Sequence, residues 1–164
     1  MPEPLPLVCV EDFRRRAAAL LLPEVFDYFA GAAGDESSLE HQRASLNRMR
    51  ICPRVLRTTG LCDLGVEVLG ATWSMPLLIS PTAFQRMAHP EGEAAMARAA
   101  AAEGVPMVLS MCSGITVEEA AGAYGEHGPG LWFQLYIQED RGFTQAIVER
   151  AEAAGCRALV LTVD

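Results

Sequence analysis

Short apolar runs alternate with helix-like stretches over the second half of the chain. The apolar runs lie at 77–80, 105–110, 131–136 and 158–163. Continuous apolar runs of this length are typical of parallel strands that are covered on both faces. The stretches between them, at 91–103, 116–123 and 142–154, indicate helices, and Gly104 and Gly155 stand where two of these helices should end. The alternation predicts a parallel sheet with right-handed crossovers.

The first part of the chain has a different pattern, which predicts three helices. The first covers 10–22, and Pro23 suits the first position of the second, which the glycines at 31–34 end. Asp35 or Ser37 is the predicted cap of a third helix that ends near Met49. Residues 53–74 indicate loop and short β-structure, with 67–70 as one arm of a hairpin.

These elements predict an α/β fold in which N-terminal helices precede the first half, about four β/α units, of a TIM (β/α)8 barrel. A whole barrel takes about 250 residues. We therefore expect one incomplete domain over 1–164, made of a helical segment (1–52), a loop with short β-structure (53–74) and a half-barrel (75–164). Its outer strands would have open edges, so the chain should be the N-terminal part of a larger enzyme or a truncated product. A small doubly wound sheet is the alternative.

Composition narrows the class of protein. The net charge is −8 and the 13 basic residues, all arginine, are scattered, which disfavours a nucleic-acid partner. The apolar runs are too short to span a bilayer, and no basic region precedes the apolar residues at 5–10, so no signal peptide is predicted. Five cysteines without a CxxC pair indicate free thiols, no metal site and a cytoplasmic protein.

Polar residues recur where the predicted strands end. Ligands bind at the carboxyl ends of parallel strands, and a polar residue within an apolar strand needs hydrogen-bond partners. We therefore expect a polar ring suited to a flat ligand rich in hydrogen-bonding groups, such as a flavin. The sequence contains no dinucleotide fingerprint, P-loop or nucleophile elbow. The ring residues, in strand order, are Thr82, Ser110, Gln134 with Tyr136, and Thr162 with Asp164.

Six segments carry a family resemblance, in the family's order and with its spacing. By these segments the chain resembles the FMN-dependent α-hydroxy-acid oxidases and dehydrogenases, which include glycolate oxidase and lactate oxidase. The resemblance covers somewhat less than the first half of a typical member. The segments are Phe-Asp-Tyr-Phe at 26–29, Gly-Ala-Ala-Gly-Asp-Glu at 31–36, Pro-Arg-Val-Leu-Arg at 53–57, the loop at 81–93, Trp-Phe-Gln-Leu-Tyr at 132–136 and Leu-Thr-Val-Asp at 161–164.

The resemblance implies FMN as cofactor and the oxidation of a small (S)-2-hydroxy acid to a 2-oxo acid, with oxygen or another acceptor reoxidising the flavin. It also implies roles for individual residues. Those that would contact the flavin are Pro81, Thr82, Ala83, Ser110, Gln134 and Thr162. Tyr28 and Tyr136 would bind the substrate. Tyr136 would also take part in catalysis, and Asp164 would orient the catalytic histidine.

The histidine, the arginines that hold the substrate carboxylate, the lysine near the flavin and the phosphate-binding loops lie in the family's second half. The resemblance further implies a homo-oligomer at full length, and a peroxisomal location for a eukaryotic protein. Cys112 stands where the family usually has an aromatic residue, which leaves room for a substrate larger than glycolate. His89 suits a structural role at a helix start. Two alternatives remain: a catalytically inactive half-barrel, and another FMN barrel such as a type 2 isopentenyl diphosphate isomerase.

Overall fold

The computed structural model describes residues 7–57 and 60–163. The chain forms two compact units, 1–60 and 61–164. Asp164, the expected partner of the catalytic histidine, lies outside the described residues.

The N-terminal unit contains the three predicted helices. They are α1 (Val10–Leu20), α2 (Pro23–Ala30) and α3 (Ser37–Arg48). Pro23 occupies the first turn of α2, as predicted, because proline fixes a helical φ and has no N–H to leave unpaired there.

The predicted cap of α3 was wrong by one residue. Glu36, with φ 62°, is the N-cap residue, and its side chain caps nothing in α3. Its carboxylate instead accepts a hydrogen bond from the backbone N–H of Ala32 (3.0 Å), which closes the turn before the helix. The Asp35 carboxylate accepts from the N–H of Ser37 (3.1 Å), and hydrogen bonding from Ser37 lowers the pKa of Asp35.

The C-terminal unit is α/β, as predicted. An antiparallel two-stranded hairpin is followed by a three-stranded parallel sheet whose strands lie side by side in chain order. In chain order its elements are β1 (Val66–Val68), β2 (Ala71–Trp73), a short 3-10 helix (Gln85–Met87), α4 (Gly92–Ala102), β3 (Met107–Leu109), α5 (Val117–Tyr124), β4 (Leu131–Leu135), α6 (Arg141–Ala153) and β5 (Leu159–Leu161).

The first predicted barrel strand, at 77–80, is reduced to one bridge. Ile79 pairs in parallel with Met107, because its N–H donates to the Pro106 carbonyl (3.0 Å) and its carbonyl accepts from the N–H of Val108 (2.9 Å). Leu77 just before it is 51% exposed. The position of the strand beside β3 was predicted correctly, but its length and its burial were not.

The core lies between the sheet and its helices. Odd-numbered strand residues, among them Leu109, Phe133 and Leu135, pack with Ala97 of α4 and Ala120 of α5. Since side chains alternate between the faces of a strand, even-numbered residues such as Gln134 lie on the opposite face. The helices therefore cover one face of the sheet and leave the other available for a site.

The strand β5 departs from the prediction of burial on both faces. Leu159 is 43% exposed and Leu161 is 50% exposed, and neither belongs to the core, whose described members come from α4, β3, α5, β4, α6 and Val105 before β3. On the opposite face the hairpin contributes Trp73, whose ring meets that of Trp132 edge to face at 5.7 Å.

Tyr124 anchors the carboxyl end of α5, and we predict that its role is structural. Its hydroxyl donates to the Val105 carbonyl (2.8 Å) and accepts from the N–H of Gly130 (3.3 Å), while burial raises the pKa of the phenol. Tyr124→Phe should lower the free energy of unfolding by about 1–2 kcal/mol, because it leaves a buried carbonyl without its donor. Urea denaturation measures this. Unchanged stability would contradict the role.

Candidate functional site

A hydrogen-bond network joins the carboxyl ends of three parallel strands. The Gln134 side chain is its centre. Its Oε1 accepts from the Ser110 hydroxyl (3.3 Å) and from the Met111 N–H (3.0 Å), and its Nε2 donates to the Thr162 hydroxyl oxygen (2.9 Å). Gln134 and Ser110 are buried. The structure thus brings together three of the residues predicted to line a polar ring.

Two hydrogen-bond donors of this network have no acceptor among the described residues. The Gln134 amide has two hydrogens and the described residues accept only one of them. The Thr162 hydroxyl accepts from that amide and is a donor to no described residue. The Ser110 hydroxyl, in contrast, donates to Gln134 and accepts from the N–H of Cys112 (3.1 Å). Two donors therefore remain at this edge of the sheet, available to a ligand that presents acceptors such as carbonyl oxygens.

The loop after Ile79 carries the other predicted flavin contacts. Pro81 and Thr82 are exposed and Ala83 is half-buried. The backbone N–H of Phe84 donates to the Cys112 carbonyl (3.1 Å), which ties this loop to the one that follows β3. Thus the expected flavin contacts and the expected pocket wall lie on neighbouring loops at one end of the sheet.

Tyr136 immediately follows β4 and is 38% exposed. Its N–H donates to the Met111 sulfur (3.4 Å), and Met111 itself donates to Gln134. The ring is therefore attached to the same edge of the sheet as the network.

The second predicted substrate tyrosine belongs to the N-terminal unit. Tyr28 lies on α2, is 50% exposed and meets the Phe29 ring edge to face at 5.0 Å.

Sequence reasoning missed a buried carboxylate, that of Glu93. It lies in the first turn of α4 with no exposed surface, and its Oε1 accepts from the N–H groups of Gln85 (3.0 Å) and Gly114 (2.8 Å). A signal was available, because Glu93, Ala97 and Ala100 follow the i, i+4, i+7 spacing of one buried helix face. A glutamate on a buried helix face needs hydrogen-bond donors such as backbone N–H groups.

His89, expected to have a structural role, makes a local hydrogen bond. Its Nδ1 accepts from the N–H of Glu91 (3.2 Å) just before α4. Within residues 7–57 and 60–163, no cluster of three His, Cys, Asp or Glu side chains is arranged to hold a metal ion. None of the helices in the same residues has the length and apolar character needed to cross a membrane.

A separate cleft of about 770 Å³ lies at the amino end of β4, away from the network. Tyr124, Leu131 and Cys156 are among its lining residues. Burial, aided by the nearby Glu118 carboxylate, raises the pKa of the Cys156 thiol to about 11. A thiol in that state is protonated and unreactive near neutral pH.

The family model described as "FMN-dependent dehydrogenase" matches residues 17–164. The match includes the carboxyl-end network, the loop after Ile79 and most of the N-terminal helices. The chain belongs to this family of flavin oxidoreductases, whose cofactor is FMN.

Individual relatives agree with this assignment. The chain is 47% identical to an L-lactate oxidase of Nostoc sp. over 154 residues, which are 93% of this chain and 42% of that protein. It is 39% identical to human 2-hydroxyacid oxidase 1 over 160 residues, 96% of this chain and 42% of that protein. A crystal structure of mandelate oxidase with (S)-4-hydroxymandelic acid superimposes with a TM-score of 0.85 at 40% identity, covering 94% of this chain and 42% of the other. The chain therefore spans less than half the length of these relatives.

Proposed function

We propose that the protein containing this chain oxidises a small (S)-2-hydroxy acid to a 2-oxo acid with bound FMN. The observation that carries the proposal is the Ser110–Gln134–Thr162 network, with two spare donors at the carboxyl edge of a parallel sheet. The lactate, glycolate and mandelate oxidases among its relatives support the reaction class. When bound, FMN supplies the electron-accepting chemistry.

In this proposal the residues of the chain bind and orient. Gln134 and Thr162 donate to the flavin carbonyl oxygens, and the loop at 81–83 lies against the ring. The Tyr136 hydroxyl holds the substrate hydroxyl, and Tyr28 contributes to holding the carboxylate. Asp164 orients the catalytic histidine and stabilises its protonated form.

We also propose that the sheet is the first part of a TIM barrel. Support comes from four parallel strand positions side by side, starting with the bridge at Ile79 and continuing through β3, β4 and β5. The half-exposed Leu159 and Leu161 of β5 favour further elements packing there. The alternative, a catalytically inactive half-barrel, has the same geometry.

Anaerobic flavin reduction tests the function. The full-length protein is purified, its flavin content is measured, and a panel of 2-hydroxy acids, from glycolate to mandelate, is mixed with it without oxygen. Bleaching of the flavin absorbance band by at least one (S)-acid is expected. A protein that binds no FMN, or whose flavin no 2-hydroxy acid reduces, contradicts the proposal. A turnover assay with residues 1–164 alone separates the inactive half-barrel from the active form.

Cys112 should set how large a substrate the site accepts. The residue is exposed, and its carbonyl is fixed by Phe84, so a larger side chain there would fill the pocket beside the flavin. We predict that Cys112→Trp shifts the ratio of kcat/KM values for glycolate and mandelate at least about tenfold towards glycolate. Cys62→Trp, which adds the same bulk at another exposed cysteine, serves as control. An unchanged ratio in the Cys112 variant would remove this residue from the pocket wall.

A further inference from the structure

Glu93 is a buried carboxylate to which the proposed chemistry gives no task. One oxygen, Oε1, accepts from the N–H groups of Gln85 (3.0 Å) and Gly114 (2.8 Å). The other, Oε2, is buried and has no hydrogen-bond donor among the described residues. Burying a carboxylate is costly, and Glu93 is among the largest fully buried side chains, a position that an apolar side chain of similar size would occupy without that cost. The bonds that Glu93 makes must therefore contribute something other than packing.

Those bonds join the two loops that form the candidate site. Gln85 follows the segment expected against the flavin, and Gly114 follows the wall residue Cys112 by two positions. A third bond, from the Phe84 N–H to the Cys112 carbonyl, runs in parallel with them (3.1 Å). We call the two bonds that Glu93 accepts the Glu93 bridge. Its longer arm joins Glu93 in α4 to Gly114 in the loop after β3, 21 residues further along the chain.

The local backbone is built to allow this bridge. Phe84 adopts a left-handed conformation with φ 54°, which costs energy in a bulky residue and needs support from its surroundings. Gly92, with φ 43°, lets the chain pass Arg86 closely: a Cβ at this position would lie 2.6 Å from Arg86 Cγ and 2.9 Å from its backbone nitrogen. A side chain at Gly92 would therefore move the loop from which Gln85 donates.

We propose that Glu93 is a positioning residue for the substrate site: its carboxylate, by accepting from Gln85 and Gly114 together, fixes the distance between the flavin-side loop and the pocket wall at Cys112. The inference rests on the proposed function, since it assigns Glu93 to the specificity of that same site. Glu93 touches neither substrate nor flavin in this proposal, and it acts only through the two loops.

Three substitutions distinguish an effect of the hydrogen bonds that Glu93 accepts from an effect of its negative charge. Glu93→Gln keeps an oxygen able to accept both N–H groups, Glu93→Asp shortens the side chain so that it reaches only one loop, and Glu93→Ala removes the acceptor. Glu91→Ala is the control, because Glu91 lies two residues away, is exposed and pairs with Arg98 at the surface (2.5 Å). The measurements, made on the full-length protein with FMN bound, are the kcat/KM ratio for glycolate and mandelate and the FMN dissociation constant.

In the Asp and Ala variants, the ratio of kcat/KM for glycolate to kcat/KM for mandelate should change at least tenfold and become closer to one, because a loosened pocket wall no longer selects substrates by size. It should stay within threefold of the wild type for Glu93→Gln and Glu91→Ala. The proposal would be overturned if this ratio in the Asp variant stayed within threefold of the wild-type value. It would also be overturned if the ratio changed equally in the Gln and Ala variants. If Glu93→Ala does not fold, Glu93→Asp decides.

Failure of the proposed function would be recognised separately, as a wild-type protein whose flavin no 2-hydroxy acid reduces. In that case the FMN dissociation constant still tests the bridge. We expect FMN to bind at least fivefold more weakly to the Asp and Ala variants than to the Gln variant. Equal FMN affinity in all three would overturn the role of Glu93.

Discussion

Replacing Gln134 with leucine should weaken FMN binding by about 10- to 100-fold. The leucine fills a similar volume but cannot accept from Ser110 and Met111 or donate to Thr162, as the amide does. Each buried partner left unpaired costs about 1–3 kcal/mol, and each 1.4 kcal/mol is about a tenfold change in affinity. The substitution also removes the second amide hydrogen of Gln134, which is the one available to the ligand.

The measurement is a fluorescence titration of the apoprotein with FMN, alongside thermal unfolding without the cofactor. Gln145→Leu is the matched control, since Gln145 is exposed on α6 and its side chain donates to Glu149 on the same helix (2.7 Å). Its FMN affinity should equal that of the wild type. A folded Gln134→Leu protein with wild-type affinity would remove the network from the cofactor site.

The second large effect is expected at Tyr136, where phenylalanine should slow flavin reduction about 100-fold or more. A side chain that binds or transfers a proton at the reacting group contributes about 10²–10⁴ in rate. The hydroxyl is the only group removed, and the ring is already 38% exposed, so the stability should remain near that of the wild type. Stopped-flow reduction by an excess of 2-hydroxy acid, without oxygen, measures the rate.

The two tyrosine variants form a reciprocal pair. Tyr124→Phe should lower stability and leave the rate of flavin reduction unchanged, because its hydroxyl bonds to backbone groups of Val105 and Gly130. Tyr136→Phe should do the opposite. Equal flavin reduction in wild type and Tyr136→Phe would refute a role for the Tyr136 hydroxyl in the reaction. It would also favour the alternative that the protein is a flavin barrel of another reaction class.

The element types followed from local patterns in the sequence. Continuous apolar runs gave strands, glycines with left-handed φ at Gly104 and Gly155 ended helices, and Pro23 began one. Lengths were less predictable, as the run at 77–80 illustrates, because a strand extends only as far as its neighbour offers hydrogen bonds. Within the described part of the chain, Ile79 is the one residue of this run that pairs on both sides, with the Pro106 carbonyl and the Val108 N–H.

In the candidate site, too, some residues could be predicted from local sequence patterns and one could not. Ser110, Gln134 and Thr162 could be predicted because a polar residue at the end of an apolar strand is visible in the sequence, and parallel strands bring such ends together. Their family roles, like those of Pro81, Tyr28 and Asp164, stay predictions. Glu93 was missed because a glutamate in the first turn of a helix ordinarily lies in solvent, where it interacts with the helix dipole.

The order of helices and strands, the edge of the sheet that carries polar residues, and the family could all be inferred from the amino-acid sequence alone. These properties depend on periodicity and on short motifs, which are local. The tertiary contacts, in contrast, had to be seen in the structure: one amide connects three strands, and the buried carboxylate of Glu93 reaches the N–H of Gly114, 21 residues further along the chain. Such contacts depend on register and on the closeness of backbones distant in sequence, and no local pattern specifies either of them.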